Sequence, residues 1–350
     1  MNARKRKKRK KEKGKKEVIP YMKVLSYLLA VFLFLFFLYR IILLLSFNVD
    51  CTKIPKDKLS VDNSMVNTLF LFEEGDKIVN MELVTYSRSQ KNILRVEIPT
   101  EIYVTDEGVD NYPISSMKSV GEFLEYSSGK NYTVEYMGNL LGLKFDNYVW
   151  IVNSSTTTDE FLSKLSVWSI LFDLKYSHEL RGNVYSNLPI LNLIKEVNFI
   201  NQILSSYQYE KMDVVDCCIK EVTISSDRTQ PQFDIRDFDE EFSKYIKGLI
   251  SREVEQERVN VEVYNASDIS GLASEYARKV RHTGSRILRF DNAPNLYDET
   301  VIYVPEPEGY QSSLMLIKDV VGTHVEVRNE RPPFVTTGDI VIILGKDISN

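Results

Sequence analysis

Histidine is scarce in this chain of 350 residues, which limits the metal sites that can be considered. Its three histidines are His178, His282 and His324. None of them has the HxxxH or HExxH spacing that places two imidazoles on one helix face. The sequence therefore predicts no metal site.

Cysteine is equally rare, and three residues cannot all pair within one chain. Cys51 is isolated, and Cys217 is adjacent to Cys218. This spacing fits neither a zinc site nor the disulfide framework of a small secreted domain. We expect Cys217 and Cys218 to form a buried apolar pair rather than a redox centre.

Acidic residues are nearly absent from residues 1–23, where twelve Lys/Arg oppose Glu12 and Glu17 and give a net charge of +10. The remaining residues contain 32 basic and 47 acidic side chains, a net charge of −15. The two parts of the chain therefore differ in electrostatic character, and the overall charge of −5 describes neither.

Polar residues are almost missing from the next segment, residues 24–47. Its 24 residues would form a helix of about 36 Å, long enough to cross a hydrocarbon core of about 30 Å with some tilt. Arg40 is its one charge, and it lies near the outer end, where its side chain can reach the headgroups. The sequence predicts a transmembrane helix.

The charge pattern also predicts the orientation of this helix. The basic tail adjoins its N-terminal end, and the positive-inside rule places such a tail in the cytoplasm. Residues 46–50 lack the small side chains of a signal-peptide cleavage site, so we expect an uncleaved anchor. Next to a membrane the tail sets topology and attracts anionic lipid, so no nucleic-acid partner is predicted. Residues 48–350 are expected outside the cytoplasm, in a single-pass cell-membrane protein.

The region after a polar linker, residues 48–66, has the pattern of a mixed α/β domain over residues 67–237. Short runs rich in β-branched and aromatic residues predict strands at Thr68–Phe72, Met81–Tyr86, Ile93–Ile98 and Phe145–Ile151. Helical periodicity ends at Gly142, and further helices are expected at Asp159–Phe172 and Leu188–Leu204. An amphipathic stretch over residues 238–258 is interpreted as one connecting helix.

Residues 259–347 predict a small two-layer α/β domain with the order β-α-β-β-α-β-β. Val259, Val261 and Val263 alternate in a first strand, and Asn265–Asp268 is expected to cap the helix that follows. The unbroken apolar run Ile340–Leu344 is typical of a central strand that is buried on both faces.

The motifs of this last unit are similar to those of the LytR C-terminal domain. The segment VNVEVYNASDISGLASEYARKVRHTG, the strand YDETVIYV and the terminal DIVIILGKD occur in the family's order, with Ala266 at a position where the family usually has Gly. The resemblance implies a small extracytoplasmic module of the bacterial cell envelope. It covers nearly all of the predicted domain.

Residues 67–237 resemble, more faintly, the catalytic domain of LytR-CpsA-Psr proteins. Asn67–Phe72 matches the family's opening strand, and Leu83–Thr85 with Ile93–Pro99 resembles its MLVS…SIPRD passage. Val134–Asn147 resembles its VENLLGIPID helix and turn. The resemblance implies transfer of a glycopolymer from a polyprenyl pyrophosphate carrier to peptidoglycan, with arginines that clamp the pyrophosphate and acidic residues that hold a divalent metal.

The residues that would perform this chemistry depart from the family pattern. Thr100-Glu101 replaces the Arg-Asp of the IPRD passage, and Val79 stands where an aspartate is expected. The arginine cluster of the family has become residues 183–190, with Arg181 nearby. A neutral threonine cannot neutralise a pyrophosphate as a guanidinium does. The resemblance therefore favours a degenerate, non-catalytic relative.

Two groups of candidate site residues remain. Glu101 and Arg181 are weak catalytic candidates, with Arg88 and Arg95 as members of a replacement clamp; all of these are equally well explained as surface charges. A basic patch in the acidic ectodomain is the candidate site for an anionic polymer or a partner's acidic surface, and its alternative is a solvated helix face. Its members are Arg278, Lys279, Arg281, Arg286 and Arg289.

Three functions follow from different classes. The favoured one is a membrane-anchored, non-catalytic envelope protein that binds cell-wall polymer or envelope partners and needs no cofactor. The alternative is a phosphotransferase of the LytR-CpsA-Psr type, which would require Mg²⁺. The third, a transcriptional attenuator, is disfavoured because no helix-turn-helix is evident and the N-terminal tail is short.

Overall fold

The computed structural model describes residues 2–45, 65–106, 109–125, 128–154, 156–206, 209–225 and 228–349. The helices are α1 (Asn2–Leu45), α2 (Met117–Phe123), α3 (Gly129–Leu141), α4 (Thr158–Lys164), α5 (Val167–Phe172), α6 (Leu174–Asn183), α7 (Ile190–Ser205), α8 (Val214–Cys218), α9 (Ile235–Ile246), α10 (Arg252–Glu257), α11 (Leu272–Arg281) and α12 (Gln311–Val321). The strands are β1 (Met65–Glu74), β2 (Lys77–Ser87), β3 (Ile93–Glu97), β4 (Tyr103–Asp106), β5 (Val109–Pro113), β6 (Asn147–Val152), β7 (Val184–Ser186), β8 (Tyr209–Asp213), β9 (Ile219–Ser225), β10 (Arg228–Phe233), β11 (Asn260–Asn265), β12 (Arg286–Asn292), β13 (Val301–Tyr303), β14 (Glu326–Arg328) and β15 (Ile340–Leu344). The chain is thus of the predicted α/β class.

The chain divides into two compact units. One consists of Met1–Asn48 with Leu165–Gly182, and the other of Val49–Lys164 with Asn183–Asn350. The sequence boundaries that we drew at residues 66, 237 and 258 remain predictions. Most of the predicted linker, residues 48–64, and Cys51 lie outside the described residues.

The first unit contains α1, α5 and α6. Within the described residues one stretch of α1, Tyr21–Ile42, is long and apolar enough to cross a membrane, with a mean hydropathy of 2.3. Arg40 does not extend toward the headgroups as we expected, because it is buried and its Nε donates to the carbonyl oxygen of Leu171 at 3.0 Å. A protein carbonyl thus replaces the headgroup as its partner.

A six-stranded mixed sheet forms the centre of the second unit, in the order β7-β6-β1-β2-β3-β8. Strand β1 pairs parallel to β6 and antiparallel to β2, as expected when a helical crossover and a tight hairpin connect the respective strands. The hairpin turns at Gly75, whose φ of +64° is favourable for glycine. The four strands predicted for this region are confirmed.

The central sheet is covered by helices on both faces. On one face Leu69, Leu71 and Trp150 belong to a core that includes residues of α3 and α9. On the other face Phe70 packs edge-on against Phe161 of α4, and Tyr86 packs against Phe199 of α7. A smaller sheet has the order β5-β4-β10-β9.

The C-terminal part of the second unit has the predicted order β-α-β-β-α-β-β, with strands arranged as β12-β11-β15-β13-β14. The apolar strand β15 is central and buried at all five positions, as predicted. Helices α11 and α12 contribute Ala277, Val280 and Ile317 to the core on one side of this sheet. The two-layer architecture is confirmed.

Two long helices predicted from periodicity are each broken in the structure. The stretch predicted as Asp159–Phe172 separates into α4 and α5, because Ser166 caps α5 by accepting a hydrogen bond from Ser169 N at 3.0 Å. The predicted connecting helix, residues 238–258, is also wrong as a single helix. It separates into α9 and α10, and Ser251 caps the second.

Two further predictions are corrected. Residues Asn265–Asp268 do not cap α11, because Asn265 instead binds Ser267 N and Ile269 O within a turn, and α11 begins after Gly271. Cys217 and Cys218 are not two separate thiols but are joined by a disulfide, although Cys218 is buried as predicted.

Candidate functional site

The basic helix α11 contacts helices α9 and α3 of the second unit through Arg278. Its Nε and Nη2 donate to the two carboxylate oxygens of Asp239 on α9 at 2.7 and 2.8 Å. Nη1 and Nη2 also donate to the carbonyl oxygens of Asn139 and Leu140 at 2.9 and 3.0 Å. These carbonyls lie in the last turn of α3, where backbone acceptors lack the i+4 donor of the helix interior. Four of the five N–H groups of the guanidinium are therefore bonded within the protein.

His282 is buried directly beside this contact. Its Nδ1 lies 2.8 Å from the carbonyl oxygen of Gly142, which can only accept, so Nδ1 carries the proton of the neutral ring. Its Nε2 faces Asp239 at 3.5 Å without a hydrogen bond. Burial lowers the pKa of His282 to about 4, although the carboxylate of Asp239 opposes this shift.

Two lysines add contacts to the same junction. We define this junction as the contacts of α11 and α12 with residues 139–144 and with Asp239. Lys279 Nζ donates to the side-chain oxygens of Asn139 at 2.8 Å and Glu275 at 2.6 Å. Lys144 Nζ lies 2.9 Å from Asp319 Oδ1 on α12. Of the five predicted polymer-binding residues, Arg278 and Lys279 thus belong to this junction.

The other three basic residues lie on an accessible surface next to it. Arg281 borders an open groove of about 830 Å³ between α9 and α11. Arg286 and Arg289 are exposed on β12, the edge strand of the C-terminal sheet. Phe290, 49% exposed, lies on the opposite face of this strand from Arg289 and lines the groove with Arg281. We call Arg281, Arg286, Arg289 and Phe290 the edge surface. It combines cations with an accessible strand edge.

Arg289 is exposed on this surface and contacts the ring of Tyr264, whose centroid lies 5.9 Å away, and the carboxylate of Asp291. Its Nη2 donates to Asp291 at 2.5 Å, which raises the pKa of Arg289 and lowers that of Asp291. Both side chains are about half exposed, and exposed ion pairs of this kind contribute little to stability. An anionic ligand can therefore replace Asp291 at little cost.

The arginines of the first region have other partners. Arg95 Nε and Nη2 donate to the Glu82 carboxylate at 2.5 and 3.0 Å, and both side chains are largely buried. Burial lowers the pKa of Arg95, but the hydrogen bonds that it donates to Glu82 and Asp159 outweigh this effect and raise the pKa. Arg88 instead pairs with Glu196. The structure therefore gives Arg88 and Arg95 different carboxylates rather than one shared site.

The two weak catalytic candidates are both exposed. Glu101 lies in the turn that follows Pro99, next to the buried Thr100. Arg181 lies on α6 of the first unit. Their proposed catalytic roles remain predictions.

A buried carboxylate at the end of β1 was not identified from the sequence. Glu73 is 1% exposed, and it accepts hydrogen bonds from Trp150 Nε1 at 2.6 Å and from Lys118 Nζ at 2.5 Å. Burial lowers the pKa of Lys118, but its hydrogen bond with Glu73 outweighs this and raises it. The strand predicted as Thr68–Phe72 ends one residue before Glu73, whereas β1 extends to Glu74. Within the described ranges, no cluster of three or more His, Cys, Asp or Glu side chains is placed to hold a metal.

Comparisons with known proteins found similar solved structures and one family match. Curated proteins give no match. Among solved structures, "TagT bound to LI-WTA" is similar with 14% identity and a TM-score of 0.39, covering 59% of this chain and 98% of that one. The "LytR-CPS2A-psr family protein YwtF (TagT) with bound octaprenyl pyrophosphate lipid" has 13% identity, a TM-score of 0.37 and the same coverage. TagV of B. subtilis has 14% identity, a TM-score of 0.38 and coverage of 53% and 98%.

The C-terminal domain has a direct family match. Residues 258–347 match the family model of the LytR cell envelope-related transcriptional attenuator. These are nearly the residues whose motifs predicted that domain. Residues 258–347 are therefore similar to the LytR C-terminal family, and the resemblance predicted from their motifs is confirmed.

Proposed function

We propose that this chain is a membrane-anchored, extracytoplasmic cell-envelope protein that binds an anionic wall polymer through its C-terminal domain and does not catalyse polymer transfer. The apolar stretch of α1 and the adjoining basic tail support the anchor and its orientation. The family match of residues 258–347 supports a role in the envelope.

The pairing of Arg95 with Glu82 is the observation that supports the absence of catalysis in this proposal. A pyrophosphate that recruited Arg95 would leave the buried Glu82 without its partner. Removal of one member of a buried ion pair typically costs about 3–5 kcal/mol. Thr100, which replaces the family's arginine, supplies no compensating charge. These residues therefore favour a closed structural pair over a phosphate clamp.

The edge surface supports polymer binding. Arg281, Arg286 and Arg289 lie in a part of the chain whose net charge is −15, so they form a local positive region in an acidic protein. The accessible edge of β12 provides backbone groups for an extended ligand, and Phe290 provides an apolar contact. A flexible polyanion requires such distributed contacts rather than a deep pocket.

A sedimentation assay tests this binding. The full chain in nanodiscs would be mixed with insoluble cell wall that carries an anionic polymer and with wall from which the polymer has been removed. We expect salt-sensitive binding to the first preparation only. R286E/R289E should weaken it about tenfold or more, which corresponds to about 1.4 kcal/mol.

The matched control reverses two exposed lysines of the first region. K77E/K91E changes the net charge by the same amount, at two turns distant in sequence from β12. If it weakens binding as strongly as R286E/R289E, binding depends on overall charge rather than on the edge surface. Equal binding to the stripped wall would exclude the polymer as the ligand.

A second assay addresses the phosphotransferase alternative. The same protein would be incubated with glycopolymer-linked polyprenyl pyrophosphate, peptidoglycan and Mg²⁺, and the released polyprenyl phosphate, the leaving group of the transfer, would be measured. We expect no release above a protein-free control. Mg²⁺-dependent release would establish the alternative and refute the closed-pair interpretation of Arg95.

A further inference from the structure

Helix α5 and the first residue of α6 present an unusual cluster of exposed apolar side chains. Trp168 is 69% exposed, Phe172 is 57% exposed and Leu174 is 59% exposed. The rings of Trp168 and Phe172 stack with their centroids 5.5 Å apart. Contiguous apolar surface of this kind marks a contact with a partner or a membrane. We call these three residues the aromatic cluster.

The aromatic cluster is attached to the apolar helix α1. Phe172 packs edge-on against Phe37 with the ring centroids 5.7 Å apart. Arg40 donates to the carbonyl oxygens of Ile170 and Leu171 and to the hydroxyl of Ser177. The charge of Arg40 is thus satisfied by the last turn of α5 and by α6, and α5 is fixed at one level along α1.

The part of α1 that contacts α5 is the C-terminal end of the candidate membrane span. Arg40 precedes Ile42, the last residue of the span, by a rise of about 3 Å along the helix axis. Phe37 lies about one turn earlier. The rim of a bilayer is where tryptophan and other aromatic residues are enriched, because their rings tolerate both apolar chains and polar headgroups. The position and composition of α5 therefore match the same environment.

We propose that the aromatic cluster inserts into the lipid interface of the leaflet at the C-terminal end of the α1 span, so that α5 is a second membrane contact. The occupant of this surface is phospholipid, because α5 packs against α1, whose exposed face is itself apolar. The proposal uses α1 as a membrane span, but it depends neither on which side of the membrane the C-terminal part lies nor on polymer binding.

The tryptophan content of the chain makes a direct test possible. The sequence has two tryptophans, and Trp150 is fully buried in β6. The full chain would be reconstituted into bilayers of phosphatidylcholine brominated either close to the headgroup or near the chain end. We expect shallow bromines to quench the fluorescence of the native chain at least about twofold more than that of W168F, and deep bromines to quench both chains weakly.

The comparison with W168F isolates Trp168, because the remaining fluorescence comes from Trp150. W168Y provides a second conservative replacement at this exposed position and should behave like W168F. Equal quenching of the native chain and both variants by shallow bromines would overturn the proposal and assign the aromatic cluster to a protein partner or to water. Stronger quenching by deep bromines would also overturn it, because Trp168 would then lie in the hydrocarbon core.

Discussion

Side chains of the same type in the basic patch have different partners in the structure. Arg278 and Arg286 belong to the same basic patch, but Arg278 is bonded to Asp239 and two helix carbonyls while Arg286 is exposed. The difference is one of partners, not of residue type. Substitution of the two residues should therefore affect different properties of the protein.

Replacement of Arg278 by methionine should destabilise the protein strongly. R278M leaves the buried Asp239 without its partner, and loss of one member of such a pair costs about 3–5 kcal/mol. Chemical denaturation would measure the change in the free energy of unfolding. R286M, the matched control at an exposed site, should change it by less than about 0.5 kcal/mol. Equal effects of the two variants would contradict the assigned role of Arg278.

His282 should make stability depend on pH. Its ordinary pKa of 6.5 falls to about 4 in the folded protein because of burial, with Asp239, Arg278 and Arg281 as its charged neighbours. Between these values the unfolded chain binds a proton that the folded chain does not, so acidification from pH 6.5 to 4 should remove roughly 3 kcal/mol of stability.

The variant H282Q tests this dependence because glutamine does not titrate. Its free energy of unfolding should fall less between pH 6.5 and 4 than that of the native chain. H324Q changes an exposed histidine and should retain the native slope. Identical slopes for H282Q and the native chain would show that other groups cause the loss.

These residues also show what the sequence could not provide. Glu73 meets Lys118 and Trp150, and His282 meets Gly142, across separations of 45 to 140 residues. Periodicity describes which face of one element is apolar, but it does not specify which two elements meet. The types of these side chains were visible, whereas their pairing depends on the tertiary fold.

At the scale of elements, the predictions succeeded where a pattern is local and repeated. The strands of the central sheet and the buried strand Ile340–Leu344 were predicted from alternation and apolar runs. The broken helices were not, because Ser166 and Ser251 cap a new helix within an uninterrupted apolar stripe. A serine on such a stripe is compatible with both a continuous and a divided helix.

The end of α3 at Gly142 should be unusually sensitive to substitution. Gly142 has a φ of +62°, and a β-carbon there would meet Arg278 at 3.0 Å. Gly75 has a similar φ of +64° with open space around it. G75A should therefore cost about 1–2 kcal/mol from backbone strain alone, and G142A should cost more because it also displaces Arg278. Thermal unfolding of the two variants measures this difference, and equal losses would show that Arg278 adjusts freely.

At the scale of the whole molecule, the C-terminal domain is joined to the first region by charged contacts rather than by a flexible tether alone. Asp239, Asn139 and Lys144 each bind a residue of that domain. The edge surface therefore has a fixed position relative to the central sheet. Wall polymer can reach the edge surface only if this surface lies outside the cytoplasm. That extracytoplasmic location is the central claim.

Labelling of single engineered cysteines tests that claim most directly. Val335 is 92% exposed, and V335C would be treated with a membrane-impermeant maleimide on protoplasts, with the native chain as the background control. N2C would be treated in the same way in the basic tail. We expect V335C to be labelled in intact protoplasts and N2C only after permeabilisation. Labelling of N2C in intact protoplasts, with V335C protected until permeabilisation, would contradict the extracytoplasmic location and the proposed function with it.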